Sequence, residues 1–395
     1  MEQNKKPNET REIPLLANPA GELEQETKGR LWNLLEPVIM MSLLQIVMWG
    51  IWYPYVLYDE NLGIKMEFLG LRLDTLSYIL MGIMALFLFA SPFIHKDTMR
   101  GWGLNPKFMI EAIKGKDKKQ RAFAILITAI FVAIGMVAFF FLWDEIAGAL
   151  FSMNGVEASE FLAEPYGIPA VLGMGGAAGF LLSFFVVRYD NFLNALKVAL
   201  IIIGVLGGGM IIFGFLIGAP MDFESIDWGN FAINFLGYIF WGALQQFLFA
   251  SYFGTRFRKA FSPSHEFSDP RNPTGKEERK LYLKRIWVSV ISGSYFGLIH
   301  VPSWNLVLFT WVLGIFLSWL YMKDKNRNLL ALGIIHGFLG SLGGAIFSSD
   351  ILNLSVGPTT DESIALAPNF WIVAVFLILH QVIIVVAWYV AEKRK

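Results

Sequence analysis

The sequence predicts an all-α membrane protein, a polytopic bundle of about ten transmembrane helices. Three observations carry this expectation. The 395-residue chain is 55% hydrophobic and only 16% charged, where soluble domains carry about 25% charged residues. Its apolar runs repeatedly reach the ~18 residues that mark a membrane-crossing helix. Its basic and acidic loops alternate along the chain, the pattern expected when lysine and arginine stay on the cytoplasmic side.

The elements follow in order. Residues 1–36 are polar, with Pro7, Pro14 and Pro19, and read as a flexible cytoplasmic tail. A signal peptide would need an early apolar core. Spans are predicted near 37–58, 75–95, 122–143, 167–187 and 192–218, then near 229–253, 286–301, 304–322, 328–347 and 370–391. The second connection holds Lys96, Arg100, Lys107, Lys114, Lys116, Lys118, Lys119 and Arg121. The sixth holds a second basic set from Arg256 to Arg285, the eighth reads "KDKNR", and the chain ends "EKRK". Between them lie the acidic stretches Asp144 to Glu164, Asp222 to Asp227 and Asp350 to Glu362. Ten spans with both termini cytoplasmic fit every one of these loops.

Four segments result: the tail 1–36, N-terminal membrane helices 37–228, a core 229–347 where intramembrane polar residues gather, and a last helix with its basic tail, 348–395. Glycines four apart at Gly204 and Gly208, Gly214 and Gly218, and Gly333 and Gly337 are expected to let helix backbones approach closely. "GMGGAAG" at 173–179 lies within a span, not between a strand and a helix, so it is no nucleotide loop. Thirty-two cations balance thirty-two carboxylates, so overall charge suggests no nucleic-acid partner. The absence of cysteine excludes disulfides, thiolate metal sites and cysteine nucleophiles. Membrane lipids are the one partner that composition implies.

Ionisable and amide side chains at bilayer depth are rare and usually functional. Gln245 and Gln246 stand side by side in the sixth span, His300 ends the seventh, His336 lies inside the ninth, and His380 with Gln381 lies in the tenth. For His380 the simple expectation is a hydrogen bond between helices, and the glutamine pair alone would read as glue. The order of the set points further, because a glutamine pair and two histidines on successive spans can converge in one bundle. Gln245 and His336 each lie ~8 residues from the cytoplasmic end of their spans, about 12 Å deep. His300 lies ~15 residues in, which calls for a tilted or broken helix. Pro302 in "HVPSW" is placed to break one. A catalytic zinc site takes three protein ligands; His300 and His336 supply two, no intramembrane carboxylate or thiolate supplies the third, and His380 is a candidate whose proximity nothing in the sequence fixes. No cofactor is expected.

This constellation resembles the CPBP family of intramembrane proteases, which includes type II CAAX-processing enzymes and bacteriocin-immunity relatives. The family is marked by EExxxR, FxxxH and HxxxN on successive core helices. Phe296 and His300 match the second motif, and His336 matches the start of the third, with Gly340 where asparagine is expected. In the first motif Gln245 and Gln246 replace both glutamates and Ala250 stands at the arginine position. Arg256, six residues further on, is expected on another face at the membrane edge. The resemblance covers about residues 229–347. It implies a peptidase site of Gln245, Gln246, His300 and His336, supported by Phe296 and Gly340, in a multi-pass protein of a bacterial cell membrane.

The departures weaken the chemistry. A general base contributes ~10²–10⁴-fold, and a glutamine amide cannot be one. A missing oxyanion donor at Gly340 costs ~10²–10³-fold. The leading expectation is therefore a family member that binds a membrane-embedded peptide or protein with reduced or absent glutamate-dependent cleavage. The alternatives are an active CAAX-processing-like endopeptidase using His300 and His336, and a membrane transporter.

Overall fold

The structure is a computed structural model that describes residues 30–48, 67–68, 71–95, 97–144, 146–147, 153–216, 226, 228–261, 275–301, 304–346 and 369–393. Residues 1–29, Pro302 and most of the expected acidic loops lie outside the described residues.

Over the residues described, each expected span coincides with helix, the first of them only as far as Met48, residues 49–58 lying outside the described residues. The described helices are α1 Arg30–Gln45, α2 Leu73–Ile94, α3 Pro106–Lys114, α4 Lys118–Phe141, α5 Gly155–Ala163, α6 Gly167–Leu181, α7 Phe192–Leu216, α8 Trp228–Gln246, α9 Gly254–Ala260, α10 Gly275–Leu298, α11 Trp304–Tyr321, α12 Leu329–Ile346 and α13 Asn369–Lys393. A two-residue antiparallel ladder pairs Glu67 with Arg72 and Phe68 with Leu71. The protein is an all-α membrane bundle. Among the described residues, six helical stretches are long and apolar enough to cross a membrane: Arg30–Met48, Lys118–Phe141, Gly167–Val186, Phe192–Leu216, Phe231–Ala260 and Ala374–Ala391. Ile79–Ile94, Leu306–Tyr321 and Leu329–Ala345 are shorter apolar stretches. The seventh expected span lies on α10, whose first half, "GKEERKLYLKR", is charged.

The chain divides into two compact units. The first comprises residues 1–102, 248–324 and 352–395, and the second 103–247 and 325–351. In the second, α8 and α12 pack along glycines. A Cβ on Gly333 would sit 2.6 Å from the Ile239 carbonyl oxygen, and one on Gly337 3.0 Å from the Ile239 nitrogen. Close backbone approach is the expected use of such spacing. Gly204 and Gly208 differ from the expectation, for a Cβ on either meets nothing within 4 Å. Gly207 is the residue of that helix that faces Leu339 and Leu342. Spacing alone does not say which side of a helix meets a neighbour.

In the first unit, α10 and α11 cross at Gly293 and Gly314, each close against the other's backbone. Helix α13 joins this unit through Tyr295, whose hydroxyl donates to Gln381 Oε1 at 2.6 Å. Beside it, His380 Nε2 lies 2.9 Å from Ser294 Oγ, the expected bond between helices.

Candidate functional site

Gln245 and Gln246 close α8. Consecutive helical residues point about 100° apart, so the two amides serve different faces. Gln246 is 1% exposed, and its Nε2 lies 3.4 Å from His336 Nδ1. Gln245 is half-buried, and its Oε1 has no hydrogen-bond partner among the described residues. Gly242, one turn before Gln246, lets His336 lie against α8, since a Cβ there would be 3.0 Å from the His336 Cβ. Gly340 stands one turn after His336. A Cβ at that position would meet only His336 Cδ2, at 4.0 Å, so the missing asparagine leaves room beside the imidazole. Ser341, next in α12, is 6% exposed, with an Oγ that likewise finds no partner among the described residues.

The protonation pattern follows from donor chemistry. An amide NH2 only donates, so Nδ1 of His336 accepts from Gln246, and in the neutral ring the proton sits on Nε2. A glutamate at 246 would accept instead and draw the proton to Nδ1.

His300 belongs to the first unit. It follows the end of α10 at Leu298, and its Nδ1 lies 3.0 Å from the Phe296 carbonyl oxygen. A carbonyl only accepts, so Nδ1 carries the proton and Nε2 carries the lone pair. The Phe296 ring meets the imidazole edge-on at 5.5 Å and is itself held by Phe249 at 5.2 Å. The FxxxH spacing thus works locally: one helical turn places the aromatic ring and its carbonyl against the same imidazole. The two contacts thus favour opposite tautomers, with the Nε2 lone pair on His300 and Nε2–H on His336.

Helix α8 runs on through a π-helical turn, Phe247–Phe253, into α9. Ser292 Oγ donates to the Phe249 carbonyl within it at 3.0 Å. Such π turns recur at functional sites, and this one starts at the residue after Gln246.

One polar group was not legible beforehand. Arg256 is fully buried, not placed at an exposed edge. Its guanidinium pairs with Asp97, reaches Glu36 Oε1 at 3.5 Å and donates to Asn33 Oδ1 at 2.9 Å. Glu36 also accepts from Ser91 Oγ at 2.5 Å and meets His95 Nε2 at 2.5 Å. Lys259 pairs with Asp97, and the Trp102 indole donates to Asp97 at 3.0 Å. Burial alone would raise the Asp97 carboxyl, but the Arg256 and Lys259 cations and these hydrogen bonds hold it below the usual aspartate range. The cluster ties α1, the end of α2 and α9 together. Its sequence signal was Glu36 itself, a carboxylate directly ahead of "PVIMM".

Among the described residues no group of three or more histidine, aspartate or glutamate side chains is placed to hold a metal ion. Residues 236–342 match the family model described as type II CAAX prenyl endopeptidase Rce1-like. That segment contains Gln245, Gln246, Phe296, His300, His336 and Gly340. No curated protein and no solved structure matches the chain.

Proposed function

We propose, from the premise that residues 236–342 are an Rce1-like segment of the CPBP family, that this membrane protein holds a membrane-embedded peptide or protein segment and cleaves it slowly or not at all. One observation carries the reading. The group facing His336 is the neutral Gln246 amide at 3.4 Å, where the family pattern has a carboxylate able to take a proton from water. Glutamine keeps the shape of glutamate and can orient a water or a peptide amide. It cannot accept the proton, which removes a contribution of ~10²–10⁴-fold.

The His300 tautomer favours a second reading, an active endopeptidase. Its Nε2 lone pair, fixed by the Nδ1–H bond to Phe296, is that of a general base. The proposal also includes the ten-span topology with both termini cytoplasmic.

A transmembrane peptide bearing a photo-crosslinker, reconstituted with the wild-type chain in liposomes, separates these readings. Recovery of full-length peptide joined to the protein, lost in His336→Ala, is the expected result. Shortened peptide, lost in His300→Ala, supports the endopeptidase. Neither crosslink nor product would contradict both.

A further inference from the structure

Helix α3, Pro106–Lys114, lies directly before α4, whose first residue is Lys118. Because α4 is long and apolar enough to cross a membrane, α3 is held within a few residues of that membrane's surface. One side of α3 is used internally. Met109 and Ala112 are buried against Ala124 of α4, and Phe108 stacks on Tyr189 at 5.1 Å. The other side is open. Ile110 is 37% and Ile113 45% exposed, and on a helical wheel the two lie about 60° apart, beside Pro106. Lys107 and Lys114 lie together along one side of that apolar strip, with Glu111 beyond and bonded back to Lys107 at 3.5 Å, and buried Met109 borders the other side.

The turn after α3 adds exposed Lys116, and the first turn of α4 adds exposed Lys118, Lys119 and Arg121. Arg121 Nη2 donates to the Gly115 carbonyl at 2.7 Å, and Asp117 caps α4 through the amides of Lys119 and Gln120. The stretch 107–121 therefore presents six cations against two carboxylates, both of them already engaged. Two adjacent open isoleucines beside a run of cations, at the foot of a membrane-crossing helix, suit a boundary with both an apolar and an anionic layer.

We propose that α3 and the turn after it form an interfacial anchor seated on anionic phospholipid. Ile110 and Ile113 enter the acyl boundary, while Lys107, Lys114, Lys116, Lys118, Lys119 and Arg121 engage headgroup phosphates. Both arms are required: apolar burial sets the depth, and the cations select a negatively charged leaflet, each contributing through its own attraction to the surface.

The chain has no cysteine, so a single introduced thiol can be spin-labelled without background. Full-length I110C, I113C and E111C are reconstituted in bilayers of phosphatidylglycerol and phosphatidylcholine. Labels at 110 and 113 are expected to be more accessible to oxygen than to a water-soluble nickel chelate, and the label at 111 the reverse. In I113C carrying K114Q, K116Q, K118Q and K119Q, or in pure phosphatidylcholine, the ratio of oxygen to chelate accessibility is expected to fall at least twofold. Labels at 110 and 113 as chelate-accessible as that at 111 overturn the proposal. So do labels shielded from both probes, which would mean that protein covers the face. An unchanged ratio after removal of the lysines overturns the anionic-lipid arm.

Discussion

Gln246 differs from glutamate at one terminal group, and that group decides which nitrogen of His336 carries the proton. With the amide donating to Nδ1, the neutral ring is the Nε2–H tautomer. Nitrogen-15 spectra of histidine-labelled protein are expected to show that tautomer for His336 in the wild type. In Gln246→Glu the proton is expected to move to Nδ1, with His300 unchanged because its Nδ1 bonds to a backbone carbonyl. Asp97 gives a second residue-scale expectation. Its carboxyl is held below the ordinary value near 3.8 by Arg256 and Lys259, against the cost of burial. Its stabilisation is therefore present above that ordinary value and is lost as pH falls through the lower folded value. Asp97→Asn, which leaves two buried cations short of a partner, is expected to cost roughly 3–5 kcal/mol at neutral pH. It should also flatten the loss of stability below about pH 4, read by acid titration of thermal unfolding. The glutamine and histidine residues were legible in sequence because amides and imidazoles stand out in apolar runs. The Glu36–Arg256 cluster was not, because its members come from loop, tail and helix edges, with Arg256 and its partner Asn33 223 residues apart, and only folding shows that they are buried together.

At the scale of elements, run length located the long apolar helices because a lipid-facing helix must satisfy its backbone internally and expose apolar side chains; it missed α3, α5, α9 and the charged first half of α10, which lie in stretches read as loops. Boundaries moved where other forces act. Helix α1 starts at Arg30, earlier than the apolar run, because Asn33 and Glu36 are buried against Arg256. The contact between α8 and α12 is the element the site depends on. Gly333→Leu forces a side chain onto the Ile239 carbonyl and is expected to destabilise by about 1–3 kcal/mol. Gly204→Leu enters open space and should leave the unfolding temperature unchanged. Both are read by thermal unfolding in detergent. Equal effects would mean that α8 and α12 do not meet along these glycines. The four-residue spacing was visible for both pairs in the sequence, but which pair faces a helix was not.

At the scale of the whole molecule, the family model matches 236–342, a stretch that passes between the two compact units twice, after Phe247 and after Asp324. Reporter fusions in the loops are expected to place 96–121, 254–285 and 323–327 on one side of the membrane, with both termini. A basic loop on the opposite side would break the ten-span topology. The most direct test of the functional account is a single-turnover cleavage assay on a transmembrane peptide in liposomes. The wild type is compared with Q245E and Q246E introduced together. The account expects little or no product from the wild type and at least a ~10²-fold faster reaction once the carboxylates are present. A wild-type chain that already cleaves as fast as the doubly substituted one would contradict it.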